Sequence, residues 1–97
     1  MELKDCRDRI DEIDENIVYL FAQRMTLAAK IADYKKENNL PIYVPEREQQ
    51  ILEKISQIAR PDLETYTQEL FSFIFELSRN YQSSCNCQNT SPEKTQR

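Results

Sequence analysis

A chain of 97 residues builds one domain and not two, and its formal charge of −4 has the wrong sign for a surface that grips nucleic acid. It contains no glycine, which excludes Gly-rich phosphate loops, and no histidine, which removes the commonest general acid/base and the commonest zinc ligand. Three cysteines without a regular framework point to a reducing compartment.

The opening "MELKDCRDRIDEIDE" is charged throughout, and no later run of 18 apolar residues could span a membrane. The expected location is cytoplasmic, with no membrane and no nucleic-acid partner. Apolar residues then recur at Leu3, Cys6, Ile10, Ile13, Ile17, Leu20, Leu27, Ile31 and Tyr34, in steps of three and four. The heptad stripe breaks at position 24, where an arginine stands. No proline interrupts residues 1–40 and good helix formers dominate. The spacing predicts one helix from about Leu3 to Lys36, roughly 50 Å long at the usual rise per residue. Cys6 reads as a small buried hydrophobe on it.

"ENNLPIYVP" ends this helix, with Asn38 and Asn39 as C-cap residues and Pro41 and Pro45 bracketing an extended connection. A second helix begins near Pro45, a residue suited to a first turn, and shows an apolar face of Ile51, Leu52, Ile55, Ile58 and Ala59. "ARPDLE" is the next break, with Asp62 as the expected N-cap. A third helix runs from about Leu63 to Tyr81, rich in Leu, Phe and Tyr. Residues 83–97, "SSCNCQNTSPEKTQR", lack periodicity and read as a disordered polar tail, leaving 1–82 as the folded domain. Cys85 and Cys87 lack the further ligands that a soft-metal site needs.

The expected fold class is therefore all-α, with one long N-terminal helix and two shorter ones per chain. A compact domain of this size has a radius of gyration near 13 Å, too small to enclose a rod of ~50 Å. The two shorter helices cannot cover all of that rod and each other. The simplest cover is a second copy, so the expected state is an intertwined helical homodimer with twofold symmetry. The alternative is an elongated three-helix hairpin that dimerises through one coiled-coil end.

Arg24 and Lys35 stand 11 residues apart, which on a helix brings them within about 20° of one direction. A cation on a core-facing stripe requires an answer, because burying it unpaired costs several kcal/mol. One answer is an internal salt bridge, to Asp14, Glu48 or Glu76. The other is an anion-binding pocket inside the bundle. Arg7 lies about 25 Å along the axis from Arg24 and is rotated by roughly 100°, so one chain cannot aim both at one small ligand, whereas a twofold dimer can. Arg47 and Glu48 open the second helix, where a glutamate suits the helix dipole and an arginine does not. Ser78 and Gln82, four apart, share a face that continues Phe71, Ile74 and Phe75.

Together these residues resemble the all-helical chorismate mutases. That family carries an arginine, a variant of I-D-x-I-D, a second arginine, a lysine 11 residues on, a proline loop, R-E opening the second helix, and a late Ser-x-x-x-Gln pair. In register and without gaps these fall on Arg7, Asp14, Arg24, Lys35, Arg47, Glu48, Ser78 and Gln82, over about residues 3–82. The resemblance implies an isomerase that converts chorismate to prephenate by a [3,3] pericyclic rearrangement, in phenylalanine and tyrosine biosynthesis; several related enzymes are fused to dehydratase, dehydrogenase or synthase domains, and the expectation for this chain is a free-standing mutase. No cofactor and no metal is implied.

By the same resemblance, Arg7 of a partner chain and Arg24 of this one grip the substrate carboxylates, with Arg47 and Ser78 at that end of the pocket. Lys35 and Gln82 donate to the ether oxygen where charge develops. Glu48 accepts the ring hydroxyl beside a main-chain group near Val44. The family often has aspartate at that position, and Val44 offers only its backbone. Two alternatives remain open: an isochorismate-pyruvate lyase of the same fold, and a non-enzymatic dimerisation or regulatory module. The latter implies that Arg24 and Lys35 are paired with carboxylates and that no void lies between the helices.

Overall fold

The computed structural model describes residues 2–87, with side chains through residue 84. It contains helix α1 (Leu3–Glu37), helix α2 (Pro45–Ile58), a short 3-10 turn (Pro61–Leu63) and helix α3 (Glu64–Cys87), and no strand among the described residues. The long first helix is as the heptad spacing predicts, to within a residue at its far end. Thirty-five residues make a rod of about 52 Å at the helical rise, and 52 Å is the longest dimension of the molecule.

The end of α1 is fixed by its asparagines. Asn39 adopts the left-handed conformation, with φ of 57°. The Leu40 N–H donates to the Lys35 carbonyl at 2.8 Å and the Asn39 N–H to the Lys36 carbonyl at 3.3 Å. This pair of bonds is a Schellman stop, which asparagine supports where glycine is absent. The Asn38 side chain adds a bond to the Tyr34 carbonyl at 2.8 Å. The chain then crosses to Val44, the extended N-cap of α2, and Pro45 occupies the first turn as expected.

Two boundaries differ from expectation. Asp62 does not cap α3: it lies inside the 3-10 turn, and its carboxylate receives two bonds from the Arg60 guanidinium, at 2.7 and 3.1 Å. That nearby fork offers a charge-assisted bidentate contact in place of a helix N–H. The third helix also runs past Tyr81 to Cys87, into the segment expected to be a tail. Between Gln82 and Cys87 the sequence has no proline or glycine, so nothing stops propagation there. The rest of the expected tail, residues 88–97, lies outside the described residues, and so do the side chains of Cys85 and Cys87.

Helix α3 packs against both other helices and organises the core. Its contact with α1 falls on the C-terminal half of the rod, where Ala28 and Ala32 of α1 and Phe75 of α3 are buried. Small side chains one turn apart let the helix backbones approach closely. The remainder of α1 is uncovered. Ile10, Ile13, Ile17 and Leu20 are all more than half exposed, and Cys6, expected to be buried, is half-buried. A second uncovered apolar row, Tyr66, Leu70, Phe73 and Tyr81, runs along the outer face of α3 and is continued by Leu63 of the 3-10 turn. The radius of gyration, 16.6 Å, exceeds the ~13 Å of a compact chain of this length.

The left-handed residue at the end of α1 supplies a direct stability test. Replacing Asn39 by alanine should cost about 1 kcal/mol, because an ordinary side chain disfavours positive φ, whereas glycine should be neutral or stabilising. Urea denaturation at one fixed protein concentration measures both.

Candidate active site

Where α3 crosses α1, and α2 closes over the gap, lies a cavity of about 530 Å³. Its apolar walls include Leu27, Ile31, Ile51 and Phe75. Its polar lining is Arg24, Lys35, Arg47, Glu48, Ser78, Arg79 and Gln82, with Val44 beside them. Seven of the eight residues expected to bind a substrate therefore share one chamber. The eighth, Arg7, is exposed near the far end of α1 and does not line it. Asp14, part of the same sequence pattern, is also exposed.

Arg24 lies one turn before Ala28, on the side of α1 that packs against α3, and is part-buried, whereas its stripe neighbours Leu20, Leu27 and Ile31 are at least half exposed. It donates to the Ser78 hydroxyl at 3.0 Å, and its guanidinium carbon lies 5.8 Å from the centroid of the Phe75 ring. Neither contact supplies a negative charge. Among the described residues, none of the three candidate carboxylates pairs with it: Asp14 and Glu76 are exposed, and Glu48 pairs with Arg79. Burial, and secondarily the nearby Arg47, push the Arg24 pKa below its ordinary value. Both causes disfavour the charged form, and an anion placed in the cavity would oppose both.

Lys35 is held at the mouth of the Schellman stop. Its ammonium donates to the Ile42 carbonyl at 3.0 Å, tying the end of α1 to the connection that follows. An ammonium has three donors, so two remain for a ligand. On α3, Ser78 and Gln82 are buried rather than forming an exposed last turn. Gln82 donates from Nε2 to the Ala28 carbonyl at 2.9 Å, a contact that the small residue at position 28 permits. The second N–H of that amide remains free to donate.

At the start of α2, the Val44 carbonyl accepts from the N–H groups of Arg47 and Glu48, at 3.0 and 3.3 Å. The Glu48 carboxylate receives a bond from Arg79. Arg79 is the lining residue that sequence reasoning missed. Next to Ser78 on a helix, it reads as an ordinary surface arginine, and its role depends on a loop and a helix more than thirty residues earlier in the chain. Among the described residues, four cations and one carboxylate line the cavity, a formal surplus of three positive charges. Such a chamber suits a small polyanion. Both features implied by a non-enzymatic module are absent here: Arg24 and Lys35 have no carboxylate partner among the described residues, and a void lies between the helices. The described residues contain no cluster of three or more side chains arranged to hold a metal ion, and no helix long and apolar enough to cross a membrane.

Comparison with known proteins agrees with this geometry. A family model described as "Chorismate mutase type II" matches residues 6–83. The chain is similar to a "Bifunctional chorismate mutase/prephenate dehydratase" of Aquifex aeolicus (strain VF5), 51% identical over 57 residues, which are 59% of this chain and 16% of that protein. It is also similar to a "Chorismate mutase" of Methanocaldococcus jannaschii, 39% identical over 59 residues, which are 61% of this chain and 60% of that one. A "T-protein" of Haemophilus influenzae is 46% identical over 46 residues, 47% of this chain and 12% of that protein. The chain thus spans less than two thirds of the length of each of these relatives. No solved structure matches it.

An inward cation without a counter-ion makes a ligand-free prediction. Arg24→Met should leave stability within about 1 kcal/mol of the parent, or raise it, because the cost of desolvating the charge is removed. The same variant should lose binding of small dicarboxylates. Thermal melting and calorimetric titration measure the two effects separately.

Proposed function

The chain belongs to the chorismate mutase type II family, and on that premise we propose that it rearranges chorismate to prephenate. The single observation that carries the reading is the convergence of Arg24, Lys35, Arg47, Glu48, Ser78 and Gln82 on one cavity in which Arg24, Lys35 and Arg47 have no carboxylate partner among the described residues. The rearrangement needs no nucleophile and no proton transfer. The protein has to hold the substrate in its reactive diaxial shape and stabilise the charge that separates in the transition state.

The two substrate carboxylates are taken by guanidinium groups, whose planar forks meet a carboxylate bidentately. Arg24 supplies one, oriented by Ser78, with Arg47 at the same end. Lys35 and Gln82 each keep a free donor for the ether oxygen, on which negative charge grows as its bond to carbon breaks. Both are fixed before substrate arrives, by Ile42 and Ala28 respectively, so little reorganisation is needed at the moment of reaction. Glu48 accepts the ring hydroxyl. With Val44 in place of an acid, the only other group there is the main chain.

Arg7 enters the site from a second copy. The uncovered rows on α1 and on the outer face of α3 support this reading, since two apolar stripes on one small chain exceed what a monomer leaves in water. A twofold pair that interlocks its long helices covers both and carries the N-terminal end of one rod to the middle of the other. The same reading places the enzyme in the cytoplasm, in the biosynthesis of phenylalanine and tyrosine, working without cofactor or metal.

Chorismate disappearance, followed spectrophotometrically, tests the activity, and pyruvate release from isochorismate is the outcome expected of a lyase instead. Lys35→Ala should lower kcat by about a hundredfold or more, as loss of a donor to a developing oxyanion does. Arg7→Ala should act chiefly on KM. Mixing and re-annealing the Arg7→Ala and Lys35→Ala proteins should restore about a quarter of the parent activity, since each heterodimer regains one complete site. No recovery in proven heterodimers would mean that Arg7 does not act across an interface.

A further inference from the structure

Arg79 lies in the cavity wall and has no part in the scheme above. Its guanidinium meets two groups from different elements. Nη1 donates to Glu48 Oε2, from the first turn of α2. The central carbon lies 4.8 Å from the centroid of the Tyr43 ring, in the connection between α1 and α2. The pair is sheltered, with a third of the Arg79 side chain and less than a quarter of the Glu48 side chain exposed. An ion pair placed this way is screened less than a surface pair, and the aromatic ring adds a second attraction.

Glu48 needs such a holder. Its carboxylate shares the chamber with Arg24, Lys35 and Arg47, all of them cations. Pairing with any of these would neutralise a group that an anionic guest requires. Arg79 engages one oxygen, Oε2, while Oε1 has no protein partner among the described residues. A carboxylate has lone pairs enough to accept from both a guanidinium and a hydroxyl.

We propose that Arg79 is a positioning residue for the rearrangement: clamped against Tyr43, it holds the Glu48 carboxylate with one oxygen free to accept the substrate's ring hydroxyl, and keeps that carboxylate off Arg24 and Lys35. This rests on the mutase reading, and it matters more here because Val44 contributes no side-chain acceptor at the hydroxyl end. Arg79 itself need not touch the substrate.

A double-mutant cycle decides it. The kcat and KM for chorismate are measured for the parent, Glu48→Gln, Arg79→Ala and the double variant, with Arg79→Lys alongside. Each single substitution should lower kcat/KM by about tenfold, and the double should fall no further than Glu48→Gln alone, because two residues acting as one unit do not add. Lysine at 79 should recover part of the loss, since it keeps the charge but not the planar stacking on Tyr43. Losses that multiply to about a hundredfold would mean that Arg79 acts independently of Glu48, and would overturn the proposal. A double variant restored to parent activity would mean that only net charge matters, and would overturn it too. If circular dichroism shows that Arg79→Ala does not fold, Arg79→Lys with and without Glu48→Gln makes the same comparison. A parent protein without turnover fails at the mutase reading itself and takes this proposal with it, a result distinct from either failure above.

Discussion

Arg24 donates to the Ser78 hydroxyl, a neutral group, in a chamber whose lining carboxylate is engaged by Arg79. That arrangement leaves positive charge inside the bundle without an internal answer. Ordinary cores avoid this, since an ion moved out of water recovers its hydration only through close, well-oriented partners. Here the partners are a hydroxyl and an aromatic ring for Arg24 and a single backbone carbonyl for Lys35. The depressed pKa of Arg24 records the same imbalance, with desolvation as the first cause and repulsion from Arg47 as the second. The cost is limited because Arg24 is only part-buried, and the packing of α3 against α1 and α2 holds the chamber.

The bracing depends on small local features. Alanines at 28 and 32 bring α1 and α3 close enough for Gln82 to bond the α1 backbone. The Schellman stop at Asn39 turns the chain so that Lys35 meets the Ile42 carbonyl. Proline at 45 starts α2 where Arg47 and Glu48 fall on the cavity side. Each of these contacts fixes a polar side chain before any ligand arrives. Pre-positioned donors of this kind suit a reaction driven by geometry and charge rather than by bond-making groups of the protein. In the proposed reading the Arg79–Glu48 pair extends the same logic to the one acidic side chain in the wall.

The chain by itself leaves long apolar rows in water. Its long helix is packed along one side of its C-terminal half and bare over the rest, and the cation at position 7 lies on the bare half. Completion of the hydrophobic surface and completion of the binding site would then be one event. Under the proposed dimer, a protomer would be short of both buried apolar area and an arginine, so assembly and activity would be coupled through the same helix.

Much of this was legible in the residues alone. Heptad spacing, helix stops and prolines determined three helices and their order, because those signals are local and each is enforced by backbone sterics within a turn or two. The clash of Arg24 with its own stripe marked the site, since a charge on an apolar face is improbable unless something answers it. Only the tertiary structure decided which answer applied. Whether Arg24 meets a carboxylate or an open chamber depends on where Ser78, 54 residues later, comes to rest. Arg79 escaped notice for the same reason, because its partners Tyr43 and Glu48 become neighbours only when the connection and α2 fold back over α3. Periodicity assigns a side chain to a face of its own helix, but the charge it meets across a gap is set by packing between segments distant in sequence.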